Sequence, residues 1–401
     1  MPFPSRPPQI DPAGAAPARV VRPSALSDEE IAAWETLHRS RPELASPYFH
    51  PTFTRLVAEA RAAHARDDVR VALLPSHESA SGGTGTAFFP FQRGRWGRAT
   101  PPGGRLCDFH GVVAPDSFRR NAIDVLRGSG LRSYAFHMLP PGQRTFAQAT
   151  RTRGDASPGT GVRVNLEGGF DAFLRRREAL GSKRHKKVFQ FHRRMRRERS
   201  EVTFTWHDPD PQAWERLLAW KRAQYAATGF CDVLAAPWVS DLLARCRDAR
   251  PADESTAKKS RERGAEGFRG VFCTLRAGGE VVAAHLALRS GPRLHAWFPA
   301  YDPSARSLSP GNVLMMELLR HAADRGVTAV DLGRDDEAYK ADYATDHFPL
   351  LSGLAETPGR ATQVAAAARR VRDLLKSHPA GAPARAAAAW VRPLRERLSL
   401  R

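Results

Sequence analysis

The stretch VVAAHLALRSGPRLHAWFPAYDPSARSLSPGNVLMMELLRHAADRGVTAVDLGRDDEAYKADY, Val281 to Tyr343, decides the fold. It opens with two β runs, VVAAHLAL (281–288) and RLHAWFPAY (293–301), separated by the turn signal Ser290-Gly291-Pro292. A helix follows, with Ser309 as N-cap, Pro310 at the first helical position and Gly326 just past His321 and Arg325. The next run, VTAVDL (327–332), is short and apolar, as a buried strand is, and Gly333 lets the chain leave the sheet. A polar loop then leads to Tyr339-Lys340. Hairpin, helix and strand in that order make an α/β unit with a mixed sheet.

Working outward, the N-terminal half repeats this order. It offers a strand at 86–92, a strand at 105–113, a helix at 117–127 and a strand at 132–139, preceded by the strand VRVALL (69–74). Two similar units in one chain suggest duplication. Order begins near Ser27, where Ser27-Asp28-Glu29-Glu30 forms a capping box ahead of Ile31, Trp34 and Leu37. The segmentation expected is a disordered Pro- and Ala-rich tail over 1–24, an N-terminal domain over 25–165 and a helical connection over 166–250. A mobile polar loop over 251–267, a C-terminal domain over 268–355 and a basic Ala- and Arg-rich helical tail over 356–401 complete it.

The connection holds the main charge run, RRREALGSKRHKKVFQFHRRMRRER (175–199), with twelve Lys and Arg against Glu178 and Glu198. Val188, Phe191 and Met195 make an apolar stripe at helical spacing and leave the cations on the other faces. Such a face either is simply solvated or meets phosphate groups of a nucleotide, a lipid carrier or RNA. Phe189 and Phe191 alone interleave with it, so it offers no stacking platform for single strands.

The chain has 401 residues and a formal net charge of +20, from 62 Lys and Arg against 42 Asp and Glu. That excess favours anionic partners, although Arg-rich composition alone can produce it. Cys107, Cys231, Cys246 and Cys273 show no metal-binding spacing, and a reduced, cytoplasmic chain is expected. The N-terminal residues lack the apolar core of a signal peptide, and no apolar window is long enough to span a bilayer.

With GEVVAAHLAL, LHAWFPAYDP, the SPGNVLMMELLRHAADRG helix start and DLGRDDEAYK, residues 268–343 resemble GNAT-type acetyltransferases of the CelD/BcsL cellulose-biosynthesis group. That group is itself similar to the FemAB peptidyltransferases. SPYFHPTFTRLVAEA, AFFPFQ, GGRLCDFHG and the basic helix followed by VTFTW extend the resemblance over roughly residues 30–355. Its sharpest piece is D-x-G-x-x-x-E-x-Y-K from Asp331 to Lys340. The resemblance implies a tandem GNAT-like fold and an acyltransferase that uses acetyl-CoA or another acyl-CoA, without a metal. It implies a small-molecule or glycan amine or hydroxyl acceptor, in envelope polysaccharide or cellulose biosynthesis. An anionic membrane surface or lipid-linked carrier is a further implied partner, with peripheral placement at the inner membrane face. Two alternatives stay open: a FemAB-like transferase using aminoacyl-tRNA, and a non-catalytic accessory protein.

Acyl transfer requires a hold on the donor's pyrophosphate, polarisation of a carbonyl and removal of a proton. The turn Ser309-Pro310-Gly311-Asn312, with Val313 behind it, is the candidate cofactor site, since helix N-termini attract anions and Gly311 permits close backbone approach. The Gly-rich loop of ordinary GNAT enzymes is absent, and Pro310 removes one donor. Among carboxylates, Asp331 at a strand end and Asp335, Asp336 and Glu337 beyond it can orient or deprotonate an acceptor, with Lys340 as partner or oxyanion stabiliser. An Asp331–Lys340 structural ion pair explains the same residues. Asp108 and His110, at the matching place in the N-terminal half, are expected to face the same cleft, and Tyr301 to donate a proton to the leaving thiolate. Lys183 and Arg184 of the basic run, with His285 and Trp297 of the hairpin, are the candidate substrate contacts, while His110, His285 and His295 each also read as core histidines. No GxSxG, P-loop, GxGxxG or HExxH is present, which favours direct attack without a covalent intermediate.

Overall fold

The computed structural model describes residues 18–76, 85–147, 159–182, 184–250, 267–334 and 337–359. Helix starts follow the local chemistry. Ser27 and Glu30 form the reciprocal capping box of α1 (Asp28–Ser40), and α2 (Pro51–Ala63) starts at a proline with the His50 ring accepting from the Thr52 N–H. The N-terminal half also contains β1 (Arg19–Val21), β2 (Val69–Pro75), β3 (Thr86–Arg93), β4 (Arg98–Thr100), α3 (Ala122–Gly128), β5 (Ser133–Leu139) and the short α4 (Arg144–Ala147). Then come β6 (Gly159–Asn165), α5 (Phe170–Ala179), α6 (Arg184–Arg199), β7 (Val202–Trp206), α7 (Pro211–Thr228) and α8 (Pro237–Asp248). The last part is β8 (Arg269–Ala277), β9 (Glu280–Ser290), β10 (Arg293–Tyr301), α9 (Pro310–Ala323), β11 (Ala329–Arg334) and β12 (Asp346–Glu356).

All the described strands join one mixed sheet in the order β1-β2-β3-β4-β5-β12-β6-β11-β10-β9-β8-β7. Its two halves are stitched by β12, which pairs antiparallel with β5 through Leu351–Glu356 and with β6 through Asp346–Leu350. β6 lies within the 25–165 span read from sequence as the N-terminal domain, yet it pairs with β11 of the C-terminal part of the sheet. Helices cover both faces. Trp214 and Leu217 of α7 pack with Leu286 and Phe298, whereas Val313 and Leu318 of α9 pack with Ala283, Ala287 and Leu294. β9 is therefore buried on both sides, and only Glu280 at its start is exposed.

Four expectations are corrected. Residues 105–113 form no strand: Gly104–Leu106 is a 3-10 turn and the remainder a buried irregular segment with a single bridge, Phe88 to Val113. The Gln143 side chain serves this segment instead of a neighbouring strand, accepting from the Val112 N–H at 2.8 Å and donating to the Val112 carbonyl at 3.1 Å. The helix expected at 117 starts at Ala122, where the Asn121 side chain caps it. The basic run breaks into α5 and α6 at Gly181, whose φ is +79°. Finally, residues 19–21 of the supposed disordered tail are a strand on β2, while 1–17 lie outside the described residues, as do 251–266 of the polar loop and 360–401 of the basic tail.

Candidate active site

The two strands that close the opening hairpin–helix–strand unit pair only briefly. β10 and β11 run parallel through Arg293–Ala329, Leu294–Val330 and His295–Asp331, and then part. Irregularity on both sides assists. β10 shifts register against β9 between Ala296 and Phe298, and β11 shifts against β6 between Asp331 and Arg334, where Gly333 has φ +74°. The parted strands open onto a cavity of about 640 Å³. Ala296, Trp297, Pro299 and Tyr301 line it from β10, Leu332 and Gly333 from β11, and Ser309, Gly311 and Asn312 from the start of α9.

The N-terminal half supplies one charged group to this cavity, Asp108. Asp108 Oδ2 lies 2.8 Å from His295 Nε2 in β10. His295 has no exposed surface, and its Nδ1 has no hydrogen-bond partner among the described residues. The arrangement selects the tautomer with the proton on Nε2, because an orphaned buried N–H on Nδ1 costs more than a bare nitrogen. The ring is wedged by Tyr48, 4.8 Å away centroid to centroid, and Phe109, 5.4 Å away. Packing and hydrogen bond together hold the carboxylate at the point where the strands separate. A side chain at Gly333 would put its Cβ 2.9 Å from Asp108 Oδ2, so this glycine is needed for both conformation and space.

At the mouth, Ser309 occupies the N-cap of α9 but adopts a left-handed φ of 52° and makes no side-chain cap. Its hydroxyl accepts instead from Asn312 Nδ2 at 2.7 Å, and Tyr343 donates to Asn312 Oδ1 at 2.9 Å. The side chains thus brace the turn. The Gly311 N–H, in the first helical turn, has no intrahelical acceptor and belongs to the positive end of the helix dipole. Tyr301 and Arg306 border the same turn.

A second polar group lies deeper. Lys221 of α7, His285 of β9, Glu337 and Lys340 all line the cavity. Lys340 donates to the Arg334 carbonyl at 2.6 Å and pairs with Glu337 at 3.2 Å. Burial holds Lys221 down at about 8, and burial with the Lys221 charge pushes His285 down to about 3, so the imidazole is neutral.

Of the residues singled out from sequence, Asp108, Glu337, Lys340, Tyr301, Ser309, Gly311, Asn312, His285 and Trp297 meet in this one cavity. Four do not. Asp331 is buried against Arg163 at 2.7 Å and Arg293 at 3.8 Å, so its partner is a neighbouring-strand arginine rather than Lys340. His110 is buried beneath β5, with Tyr134 Oη 3.3 Å from its Nδ1, and does not line the cavity. Val313 points into the core around α9, and Arg184 pairs with Asp342 at 3.1 Å outside the cavity. Lys183, Asp335 and Asp336 lie outside the described residues. Sequence reading missed Lys221, Gln224, Arg306 and Arg334 as cavity residues. Lys221 sits at helical spacing from Gln224 and Tyr225, a pattern indistinguishable from an ordinary helix surface.

Residues 182–341 match the family model for an acetyltransferase (GNAT) domain, a span from just before α6 to the loop after β11. The fold is GNAT-like. A comparison with curated proteins finds no match. Among solved structures, the chain is similar to the C-terminal DUF2156 domain of an Agrobacterium fabrum protein, at 16% identity and TM-score 0.47, covering 84% of this chain and 94% of that one. It is also similar to FemX, at 12% identity and TM-score 0.46, covering 82% and 94%. A tandem GNAT protein of the clavulanic acid biosynthesis pathway is similar at 13% identity and TM-score 0.42, covering 85% and 100%. Among the described residues, no group of His, Cys, Asp or Glu is arranged to hold a metal, and no helix is long and apolar enough to cross a membrane.

Proposed function

We propose that this chain transfers an acyl group, acetyl being the simplest, from an acyl-CoA to an amine or hydroxyl acceptor within the cavity. One observation carries the reading: parted strands, a braced helix N-terminus and a positioned carboxylate converge on a single cavity, and all but Asp108 lie in the GNAT-matched span. Acyl-CoA would supply a thioester-activated acyl group and an anionic pyrophosphate. The residues suit it. Strand edges past His295 and Asp331 offer backbone groups to an amide-bearing arm, and the Gly311 turn with Arg306 offers N–H dipoles and a guanidinium to phosphates.

Within this reading Asp108 takes the proton from the attacking acceptor, and His295 keeps the carboxylate pointed at it. Tyr301, 39% exposed beside the turn, is placed to return a proton to the departing thiolate. The stated resemblance supports a role in envelope polysaccharide or cellulose biosynthesis, with a glycan acceptor. A FemAB-like, aminoacyl-tRNA-dependent reading is favoured by a different observation. α6 buries only His185, Val188 and Met195 and turns its Lys and Arg side chains, including Lys186, Arg194 and Arg197, away from the core. A coenzyme A release assay on the full chain, with amine and sugar acceptors, tests the first reading. Turnover above the acceptor-free rate is expected. Turnover only with aminoacyl-tRNA would transfer the site to the second reading.

A further inference from the structure

Proton removal and donor binding leave Lys221 without a task. It reaches the cavity from α7, and its Nζ donates to the Pro299 carbonyl at 3.3 Å and to Gln224 Oε1 at 3.2 Å. Pro299 lies in the part of β10 that has left β11, so the ammonium sits at the open strand edge. The rings of Tyr225 and Phe298, with centroids 5.4 and 5.8 Å away, shelter it. Among the described residues no carboxylate stands within ion-pair distance of it, since Glu337 is bonded to Lys340 and Asp108 to His295.

The surroundings make this a site for an anion. Burial weighs most on the Lys221 charge, Glu337 attracts it and Lys340 repels it, while Arg306 and Arg334 line the same cavity, against Asp108 and Glu337. His285, in register with Pro299 on β9, is 1% exposed, and its Nε2 has no hydrogen-bond partner among the described residues. A sheltered ammonium whose nearest opposite charge, Glu337, is bonded to Lys340 instead, and an imidazole nitrogen with no partner among the described residues, are both unfavourable, and a ligand that bonds them relieves both. Lys221 reaches the cavity from α7, on the face of the sheet that carries Leu286 and Phe298, whereas the α9 turn belongs to the opposite face, the one shared by Ala283, Ala287 and, by alternation along β9, His285.

We propose that Lys221, with His285 beside it, anchors the acceptor, and that this acceptor carries a carboxylate or phosphate ester in addition to the amine or hydroxyl that is acylated. This deepens the acyl-transfer reading and rests on it. Calorimetric titration of the full chain tests it with matched probes: glucosamine 6-phosphate against glucosamine, and serine against serinamide. The charged member of at least one pair should bind roughly 10- to 100-fold more tightly than the neutral one. Lys221→Met should erase that preference while leaving coenzyme A affinity unchanged, and Lys221→Arg should retain part of it.

Lys221 is held at about 8, so an anion that raises its proton affinity draws a proton onto it at pH 8, and none at pH 6, where it is already charged. Titrations in two buffers of different ionisation enthalpy read this uptake, which a purely structural tether would not produce. Lys221→Gln, which keeps a donor for Pro299, covers the case in which the methionine variant fails to fold. The proposal is overturned if neither anion outbinds its neutral counterpart, or if the preference survives in the Lys221 variants. Anion binding without coenzyme A binding would sink the donor reading alone.

Discussion

The two halves of the sheet contain the same device in opposite states. In the N-terminal half β4 and β5 run parallel through Arg98–Ser133 and Ala99–Tyr134 and then part, as β10 and β11 do after His295 and Asp331. There the gap is plugged. The irregular segment that leaves β4 puts His110 Nε2 3.5 and 3.4 Å from the His137 and Met138 N–H groups, so an imidazole takes the place of a strand partner on β5. In the C-terminal half nothing among the described residues fills the corresponding gap, and it opens onto the cavity. One cleft is thus left open, the donor site proposed above, while the other is closed into a wall. The plugging segment also carries Asp108, the one charged group that wall lends to the open cleft.

The comparison breaks most sharply at two aspartates. Asp108→Asn keeps the shape of the wall and removes the base, so turnover should fall about 100- to 1,000-fold with the melting temperature nearly unchanged. Asp331→Ala should do the reverse. It leaves Arg163 and Arg293 without their buried carboxylate and should cost about 3 kcal/mol in denaturant unfolding, with turnover per folded molecule largely kept. Equal loss of turnover in both variants would contradict the division between open cleft and structural ion pair.

A smaller effect is expected at the plug. His110→Ala orphans two β5 N–H groups and leaves a void, for a cost of about 2 kcal/mol, with coenzyme A affinity preserved. Smaller still, per group and per pH unit, is the pH dependence. Burial lowers His38, His137 and His207 to about 4, with the nearby Asp108 charge opposing it at His137. Their folded values lie below the unfolded one, so the unfolded chain binds more protons as the medium becomes acidic. Stability present above pH ~6.5 should therefore decline from there toward pH 4, by up to about 1.4 kcal/mol per pH unit for each histidine. A flat unfolding free energy across that range would show that these rings are not held neutral.

How far the sequence reveals this arrangement depends on the range of the interaction that sets each feature. The capping box at Ser27, the Ser290-Gly291-Pro292 hairpin turn and the proline start of α9 are local, and each element lies where its residues place it. Residues 105–113 look like a strand because they alternate and contain Val112 and Val113. They are held irregular by Gln143 from some thirty positions away, which no local pattern encodes. β6 changes halves for a similar reason, since its partner β11 lies far along the chain. At the site, Asp108 and the α9 turn were legible because glycines and a proline mark them. The pairing of Asp331 with Arg163 was not, because it is a cross-strand contact between distant segments. Lys221 was hidden for another reason: its helix looks amphipathic, and only the parted β10 reveals what its ammonium faces.

The account stands on the open cleft being the donor site. Calorimetric titration of acetyl-CoA into the full chain and into Gly311→Glu tests it most directly. A Cβ at Gly311 would lie 3.3 Å from Tyr301 Cδ1, a tight contact that the 39% exposed Tyr301 ring relieves by shifting a few tenths of an ångström, and a carboxylate in the first turn of α9 is compatible with the helix dipole, so the variant should fold. Saturable binding in the parent chain, lost in Gly311→Glu at unchanged melting temperature, is the predicted result. No binding in the parent chain, or equal binding in both, would contradict it.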